Sequence, residues 1–348
     1  MKALILKSNG QVFYDDVVDP NVKDDECLIS VKASGVCNSD IGRAFSGGAY
    51  FYPLIMGHEF AGEVVKTGKK VTGFEIGDKV GVFPLIPCNQ CEFCLSKNYA
   101  QCLDYNYYGS RCNGSFADLV SVKEWNLIKL PDDIGYEEAS LLEPVAVAIH
   151  AIKKAKILKD YEVVILGAGL IGMTIAHYLK MKLDVKKVIV MDRNEEKLNL
   201  LRNYGIETIC LKDKNCEKNN LKADVVFEAC GSPNTFLKSI EIVKSHGQVI
   251  WVGNITSDLD IPKKLVSLIL RKEINIIGSW NSSFTKDAPD DWHEAIKYIG
   301  KNDFIKKIIT HKLPLSEGVK FLNYLFDRRT NREKYINDNY IKGIFIVK

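Results

Sequence analysis

The chain has 348 residues, a length that accommodates two domains. Its 46% hydrophobic and 26% charged residues are typical of a folded protein and exclude a disordered one. The 47 basic and 44 acidic residues give a net charge of +3, which offers no electrostatic reason to expect a nucleic-acid or membrane partner.

The N-terminal segment "MKALILKSNG" does not resemble a signal peptide, because its apolar core covers only residues 3–6 and a lysine follows. No segment approaches the roughly 20 apolar residues that a membrane helix needs. We therefore expect a cytoplasmic protein. In a reducing compartment, clustered cysteines indicate a metal site rather than disulfides.

Residues 1–152 contain short apolar segments such as "KALIL", "ECLISVKAS" and "FAGEVVKTG", which are separated by Gly and Pro turns. This pattern predicts a mainly antiparallel β domain.

Two segments of this domain carry metal-binding residue types. "GVCNSD" contains Cys37, and "GHEFAGEVVKTG" contains His58 and Glu59. A cysteine, a histidine and a carboxylate form a zinc site that leaves one position for water or substrate. Asp40 is suitably placed to accept a hydrogen bond from the second ring nitrogen of His58. Alone, Cys37 or His58 is more often a packed residue, but this context favours a metal centre.

The stretch "PCNQCEFCLSKNYAQC" indicates a second metal site. It places cysteines at Cys88, Cys91, Cys94 and Cys102. Four thiolates at these spacings predict a structural zinc, which has no open coordination position. The chemistry should therefore take place elsewhere.

The segment "YEVVILGAGLIGMTIAHYLKM" predicts a strand at 163–166, a G-x-G-x-x-G turn and a helix that ends near Met181. The next strand, "KKVIVMD", ends at Asp192, twenty residues after the last glycine of the turn. This order is typical of dinucleotide-binding domains, with the pyrophosphate at the helix N-terminus. The predicted cofactor-binding residues are Gly167, Gly169, Leu170, Ile171, Gly172, Asp192 and Arg193.

The identity of residue 192 favours NAD over NADP. The Asp192 carboxylate can accept hydrogen bonds from both ribose hydroxyls and would repel a 2′-phosphate. Arg193 is adjacent and weakens this preference slightly.

Strands and helices continue to alternate after this motif. "NEEKLNLLRNYG" and "PNTFLKSIEIVKSH" predict helices, while "ETICL", "ADVVFEAC", "GQVIWVG" and "EINIIGSW" predict strands. We therefore predict an α/β protein with a doubly wound parallel Rossmann sheet over residues 153–288. Residues 1–152 and 289–348 then form the catalytic zinc-binding domain.

Together, "GVCNSD", "GHEFAGEVVKTGKKV", the four-cysteine stretch, "GAGLIG" and "EPVAVAIHA" resemble the zinc-dependent medium-chain alcohol and polyol dehydrogenases. The resemblance extends along the whole chain and implies a GroES-like catalytic domain. Glu143 stands where simple alcohol dehydrogenases tend to carry a cysteine ligand, which resembles the sorbitol dehydrogenase branch. "GGAYFYPLIMGHEFAG", "YYGSRCNGSFADL" and "LRKEINIIGSW" resemble the galactitol-1-phosphate 5-dehydrogenases within it.

The resemblance implies two zinc ions per chain, NAD as cofactor, and hydride transfer from a secondary hydroxyl of a polyol or polyol phosphate. The catalytic zinc would bind Cys37, His58 and Glu143, and Glu59 could approach it or exchange with water. Ser39 matches the hydroxyl that passes on the substrate proton. Many relatives carry a relay histidine at the position of Gly42, so the relay differs here. Water at either glutamate, or bulk solvent, would take its place.

Substrate contacts are implied by the same resemblance. Segments that line the cleft in relatives carry Tyr50, Tyr52, Phe116, Trp280 and Asn281 here. A phosphorylated substrate would need a cation, for which Arg43 and Arg111 are the predicted residues. Each of these residues could equally be a packing or surface residue.

Three alternatives stay open at this point. The chain could be an unphosphorylated sorbitol dehydrogenase, a threonine dehydrogenase, or a non-catalytic, zinc-stabilised NAD-binding module. The last would require a broken catalytic metal site, whereas the expected ligands are all present. "INIIGSW" predicts a strand at the sheet edge, and relatives pair this edge, so we expect a homodimer or homotetramer.

Overall fold

The computed structural model describes residues 1–212, 221–286 and 289–347. The chain forms two compact units. Unit 1 comprises Met1–Ala146, Ser282–Tyr335 and Lys342–Lys348, and unit 2 comprises Val147–Asn281 and Ile336–Ile341. The boundaries fall a few residues before the expected positions 152 and 288. Residues 336–341, which we expected in the catalytic domain, cluster with unit 2 instead.

The described strands are, in chain order, β1 (Lys2–Ser8), β2 (Gln11–Asp16), β3 (Glu26–Gly35), β4 (Leu54–Ile55), β5 (Glu59–Thr67), β6 (Lys79–Val82), β7 (Leu85–Ile86), β8 (Asn106–Tyr107), β9 (Leu119–Lys123), β10 (Leu127–Lys129), β11 (Glu162–Leu166), β12 (Lys187–Asp192), β13 (Glu207–Cys210), β14 (Ala223–Glu228), β15 (Val243–Trp251), β16 (Asn275–Gly278), β17 (Ile309–Pro314) and β18 (Lys342–Ile346).

The described α-helices are α1 (Asn38–Phe45), α2 (Glu92–Leu95), α3 (Tyr136–Ala139), α4 (Leu142–Lys154), α5 (Leu170–Met181), α6 (Glu195–Arg202), α7 (Pro233–Ile242), α8 (Lys263–Lys272), α9 (Asp291–Gly300), α10 (Phe304–Ile308) and α11 (Gly318–Thr330). None of these helices has the length and apolar character required to cross a membrane.

Unit 1 is built on a sheet in the order β10-β6-β5-β3-β18-β17, with β9 also paired to β3. Its described pairs are antiparallel except for the parallel pair β17–β18. Strand β3 alternates buried and half-buried residues over much of its length, as a strand with one face on the core should. The pair Ile344–Gly35 brings the end of the chain beside β3. This unit confirms the predicted antiparallel β domain.

Unit 2 contains a six-stranded sheet in the order β13-β12-β11-β14-β15-β16, and all its described pairs are parallel. Residues 163–165 of β11 are fully buried, which explains their uninterrupted apolar sequence. Strand β16 lies at the sheet edge, as predicted. The sheet confirms the doubly wound α/β prediction, because its strand order reverses direction at β11.

One predicted helix is too long. The sequence predicts a helix over 233–246, whereas α7 ends at Ile242 and β15 begins at Val243. Val243 is fully buried, extended and paired with Ala223 of β14. Burial of this β-branched side chain in the sheet outweighs the helical pattern. Residues 234–246 contain no Gly or Pro that would mark the boundary.

Candidate functional site

Asp40 connects three side chains around helix α1. Cys37 caps this helix, and its backbone N–H donates to Asp40 Oδ2 at 3.0 Å. Asp40 Oδ1 lies 3.0 Å from Arg43 Nη1 and 3.3 Å from His58 Nδ1. Asp40 is fully buried. A buried carboxylate in this position fixes the orientation of the His58 imidazole, as partners of metal-binding histidines do.

Cys37, His58 and Glu59 form a compact group of metal-ligating side chains, with one ligand atom from each within 4.8 Å of the others. Gly35 of β3 leaves the room that this group needs. A Cβ at position 35 would lie 2.2 Å from Glu59 Oε2, so only glycine admits the carboxylate.

Lys342 of β18 holds the Glu59 carboxylate. Its ammonium forms an ion pair with Glu59 Oε2 and donates to the Val36 carbonyl at 2.9 Å. The Lys342 side chain is 6% exposed and that of Glu59 2%, so the pair is inside the unit. Lys342 was not among the residues predicted from the sequence. A lysine in an otherwise apolar strand was the signal that could have identified it.

Glu143, in the first turn of α4, does not belong to the compact group of three. Its Oε1 accepts a hydrogen bond from the Tyr107 hydroxyl at 3.2 Å. The Tyr107 ring also meets the His58 ring edge to face, with centroids 5.8 Å apart. Tyr107 is a second residue that the sequence analysis missed, and no local pattern marks it.

The electrostatics of this group follow from burial and from charge. Burial opposes a charge on His58, but Asp40 raises the pKa of the imidazole well above its usual value. Burial raises the pKa of Glu143 to about 7, and Glu59 adds to the rise. Burial and the nearby Glu143 raise the pKa of Tyr107 well above its usual value, so the phenol remains a donor.

The four cysteines at 88–102 also converge. Their sulfur atoms lie within 4.8 Å of one another, and Cys88 Sγ lies 3.8 Å from Cys94 Sγ. A tetrahedron with bonds of about 2.3 Å has an edge of about 3.8 Å, which suits zinc. The backbone N–H of Leu103 lowers the pKa of Cys91 to about 6, whereas burial raises that of Cys94 to about 12. A bound cation would favour the thiolate form of all four.

The glycine turn of unit 2 joins β11 to α5. Gly167 has a φ of +108°, which favours glycine. A Cβ at Gly172 would lie 2.0 Å from the Gly167 carbonyl oxygen, so helix and strand are in close contact. A Cβ at Gly169 would meet nothing within 4 Å. The turn therefore leaves open space at the N-terminus of α5, where an anionic group can approach.

The Asp192 carboxylate lies beside this turn. Its Oδ2 accepts from the Ala168 N–H at 2.7 Å, and its Oδ1 accepts from the Asn194 N–H at 2.9 Å. Leu170 is buried and Ile171 half-buried on the first turn of α5, while Arg193 is exposed.

The other predicted residues fall into different surroundings. Ser39 is exposed on α1. A Cβ added at Gly42 would lie 3.1 Å from Arg329 Nη1. The Arg329 guanidinium therefore flanks the position at which many relatives were expected to carry a histidine. Phe116 is fully buried against Phe345, which is core packing rather than the predicted cleft lining.

The two arginines that were predicted to bind a phosphate lie in different surroundings. Arg43 is committed to Asp40 and its side chain is 13% exposed, so the structure argues against a role in binding phosphate. Arg111 lies between two tyrosine rings, 4.7 Å from the Tyr50 centroid and 4.2 Å from the Tyr105 centroid. The rings of Tyr50 and Tyr52 are exposed, as is Trp280 in unit 2, next to Asn281.

Two family models match the chain. The alcohol dehydrogenase GroES-like domain matches residues 23–132, and the zinc-binding dehydrogenase model matches residues 169–301. The first lies in unit 1 and carries the proposed metal ligands up to residue 102. The second begins within the glycine turn.

Similar proteins cover nearly the whole chain. Galactitol 1-phosphate 5-dehydrogenase of Escherichia coli K12 is 32% identical over 90% of this chain and 92% of its own length. D-arabitol-phosphate dehydrogenase of Enterococcus avium is 31% identical over 91% and 92%. Sorbitol dehydrogenase of Bombyx mori is 29% identical over 92% and 94%.

A solved structure of galactitol-1-phosphate dehydrogenase from Escherichia coli superimposes with a TM-score of 0.88. It is 30% identical and covers 99% of this chain and 100% of its own. The predicted resemblance is thereby confirmed at the level of the family. The chain is an oxidoreductase that belongs to the zinc-binding medium-chain alcohol and polyol dehydrogenases.

Proposed function

We propose that this enzyme oxidises a secondary hydroxyl of a polyol phosphate of the galactitol 1-phosphate type, with NAD as hydride acceptor. The observation that carries the proposal is the buried group of Cys37, His58 and Glu59 with Glu143 nearby. Thiolate, imidazole and carboxylate together are a zinc ligand set that leaves a position for substrate.

The residues of unit 1 fit a catalytic zinc at this group and a structural zinc at Cys88, Cys91, Cys94 and Cys102. When bound, the catalytic zinc supplies Lewis-acid polarisation of the substrate hydroxyl, and NAD supplies the hydride acceptor.

The protein contributes orientation and a route for the proton. Asp40 orients the His58 ring and fixes the Cys37 backbone through its two carboxylate oxygens. Ser39, exposed two residues after Cys37, is the hydroxyl that we assign to the first proton transfer. Because position 42 is glycine, the proton then passes to solvent or to water at Glu143 or Glu59.

Arg111 is the residue that we assign to the substrate phosphate. The Tyr50 and Tyr105 rings lie close to its guanidinium and restrict its movement. A restrained guanidinium loses little conformational freedom when it binds a phosphate through two hydrogen bonds. The two relatives named for phosphorylated polyols support the same substrate class.

NAD is the cofactor that we assign to unit 2. Open space at Gly169, the N-terminus of α5 and the carboxylate of Asp192 are the features that support it. A carboxylate at this point disfavours the additional phosphate of NADP.

A substrate panel tests the proposal directly. We expect turnover with NAD to be highest for galactitol 1-phosphate or another polyol phosphate, compared with sorbitol, xylitol and threonine. Arg111→Ala should raise the KM for the polyol phosphate roughly ten- to a hundredfold and hardly change that for the plain polyol, since one charge-assisted contact is lost.

Arg271→Ala, which removes an arginine from the exposed face of α8, is the matched control and should leave both KM values unchanged. Equal responses to Arg111→Ala with both substrates would contradict the phosphate assignment. The sorbitol-type alternative is favoured by one observation, namely that Arg111 Nη1 already donates to the Tyr105 carbonyl at 3.1 Å. A wild-type enzyme that prefers plain sorbitol would establish this alternative.

A further inference from the structure

The backbone of Tyr107 is anchored on all sides. Its carbonyl accepts from the backbone N–H groups of Ser110, Arg111 and Cys112 at 3.0 to 3.2 Å. Its own N–H donates to Asn106 Oδ1 at 2.8 Å, and the residue pairs with Leu85 across the β7–β8 ladder. These hydrogen bonds fix the position of the Tyr107 backbone and hence the direction in which its side chain extends.

This side chain contacts two of the proposed metal ligands. The hydroxyl donates to Glu143 Oε1 at 3.2 Å, and the ring lies against the His58 ring at an interplanar angle of 64°. Glu143 is 8% exposed, so it needs a hydrogen-bond donor from within the protein.

The two carboxylates of the centre have partners of different charge. Glu59 Oε2 is paired with the Lys342 ammonium, so this carboxylate already has a cationic partner. Glu143 Oε1 accepts from the Tyr107 phenol, an uncharged donor that occupies one of the two carboxylate oxygens. A carboxylate oxygen that is not held by an ammonium is more readily available to a divalent cation. Glu143 lies outside the compact group of three. Its carboxylate is therefore oriented by its own hydrogen-bond partner, Tyr107.

We infer that Tyr107 is a positioning residue, which holds Glu143 through Oε1 and leaves the second carboxylate oxygen for the metal bound by Cys37 and His58. The inference rests on the proposed function, because it needs a catalytic metal at this group.

The test measures metal binding in the full-length protein. Tyr107→Phe removes the hydroxyl and keeps the ring. We expect the more weakly held zinc to be bound roughly 10- to 100-fold less tightly, as is usual when the partner of a metal ligand is lost. Competition with a chromophoric chelator gives this affinity. The visible spectrum of the Co²⁺-loaded variant should differ from that of the Co²⁺-loaded wild type. Because the four-cysteine site is the same in both proteins, its contribution cancels in the difference spectrum.

Tyr108→Phe is the matched control. The Tyr108 hydroxyl accepts from the Lys123 backbone N–H at 2.9 Å, and the side chain is 4% exposed. This variant should lower the melting temperature without changing zinc affinity or the Co²⁺ spectrum. Combining Tyr107→Phe with Glu143→Gln should cost less affinity than the sum of the single changes, because both remove one contact.

Equal zinc affinity and identical Co²⁺ spectra in Tyr107→Phe and the wild type would overturn the role of Tyr107 and leave the proposed function intact. Failure of the proposed function looks different. In that case the wild type and Cys37→Ser would bind the same number of metal ions per chain.

Discussion

At the scale of single residues, the group of Cys37, His58 and Glu59 depends on neighbouring side chains that each contact more than one partner. Asp40 accepts from the Cys37 backbone and lies within ion-pair distance of Arg43 and His58. Lys342 is ion-paired with Glu59 and donates to the Val36 carbonyl. Asp40 and Lys342 are themselves buried, so the loss of either leaves a partner's charge or donor without compensation. Substitution of either of these two residues should therefore lower stability as well as activity.

Lys342→Met tests this directly. We expect the metal-free protein to lose about 3–5 kcal/mol of stability, because the Glu59 carboxylate then remains buried without its cation. The midpoint of denaturant unfolding measures the change. Adding Glu59→Gln to Lys342→Met should restore part of the loss. Lys334→Met, which breaks the exposed ion pair to Asp327, is the control and should leave the midpoint unchanged. Similar midpoints for Lys342→Met and Lys334→Met would contradict the argument.

Asp192 has both a structural and a selective role in our proposal. Asp192→Ala should weaken NADH binding by about 1–3 kcal/mol, because the backbone donors of Ala168 and Asn194 lose their acceptor as well. Asp192→Asn keeps an acceptor but removes the charge, so it should gain NADPH affinity relative to NADH with a smaller loss of NADH binding. Fluorescence titration with both nucleotides measures this. A wild type that already prefers NADPH would shift the assignment to Arg193.

At the scale of elements, the glycine turn between β11 and α5 shows how neighbouring glycines can have separate functions. Gly172 lies against the Gly167 carbonyl, whereas Gly169 faces open space with a φ of −83° that any residue can adopt. The first contact is part of the fold, and the open space is part of the proposed cofactor site.

Alanine at the two positions should therefore have opposite consequences. Gly172→Ala should destabilise unit 2 by about 1–3 kcal/mol, since its Cβ overlaps the backbone of the turn. Gly169→Ala should leave the melting temperature unchanged but weaken NADH binding, because the methyl group occupies the space left for the pyrophosphate. Thermal unfolding and NADH titration of both variants separate the two effects. Tight NADH binding by Gly169→Ala would argue against a cofactor at this turn.

At the scale of the whole molecule, the four-cysteine lobe provides stability rather than chemistry in our proposal. Cys94→Ser leaves a three-thiolate site, so the melting temperature should fall, and activity should fall mainly as the protein unfolds. Cys37→Ser should instead abolish turnover and leave the melting temperature largely unchanged. A strong chelator should lower the melting temperature of the wild type to that of Cys94→Ser. An unchanged melting temperature in Cys94→Ser would count against a structural zinc.

The sequence by itself was sufficient for features whose residues lie close together along the chain. The cysteines at 88–102, the glycine turn at 167–172 and the alternation of strands and helices depend on local spacing, which backbone geometry converts directly into structure. The end of α7 was wrong because burial of Val243 in the sheet, a tertiary effect, decided it.

Only the tertiary structure decided which distant residues meet at the centre. Strand β18 brings Lys342 to Glu59, and the β7–β8 ladder directs Tyr107 to Glu143, although no spacing in the chain relates the members of either pair. It likewise committed Arg43 to Asp40, while Arg111 lies between two tyrosines. The physical reason is that a side chain's type fixes the chemistry it can perform, whereas its partners depend on strand pairing and burial, which join segments far apart in sequence.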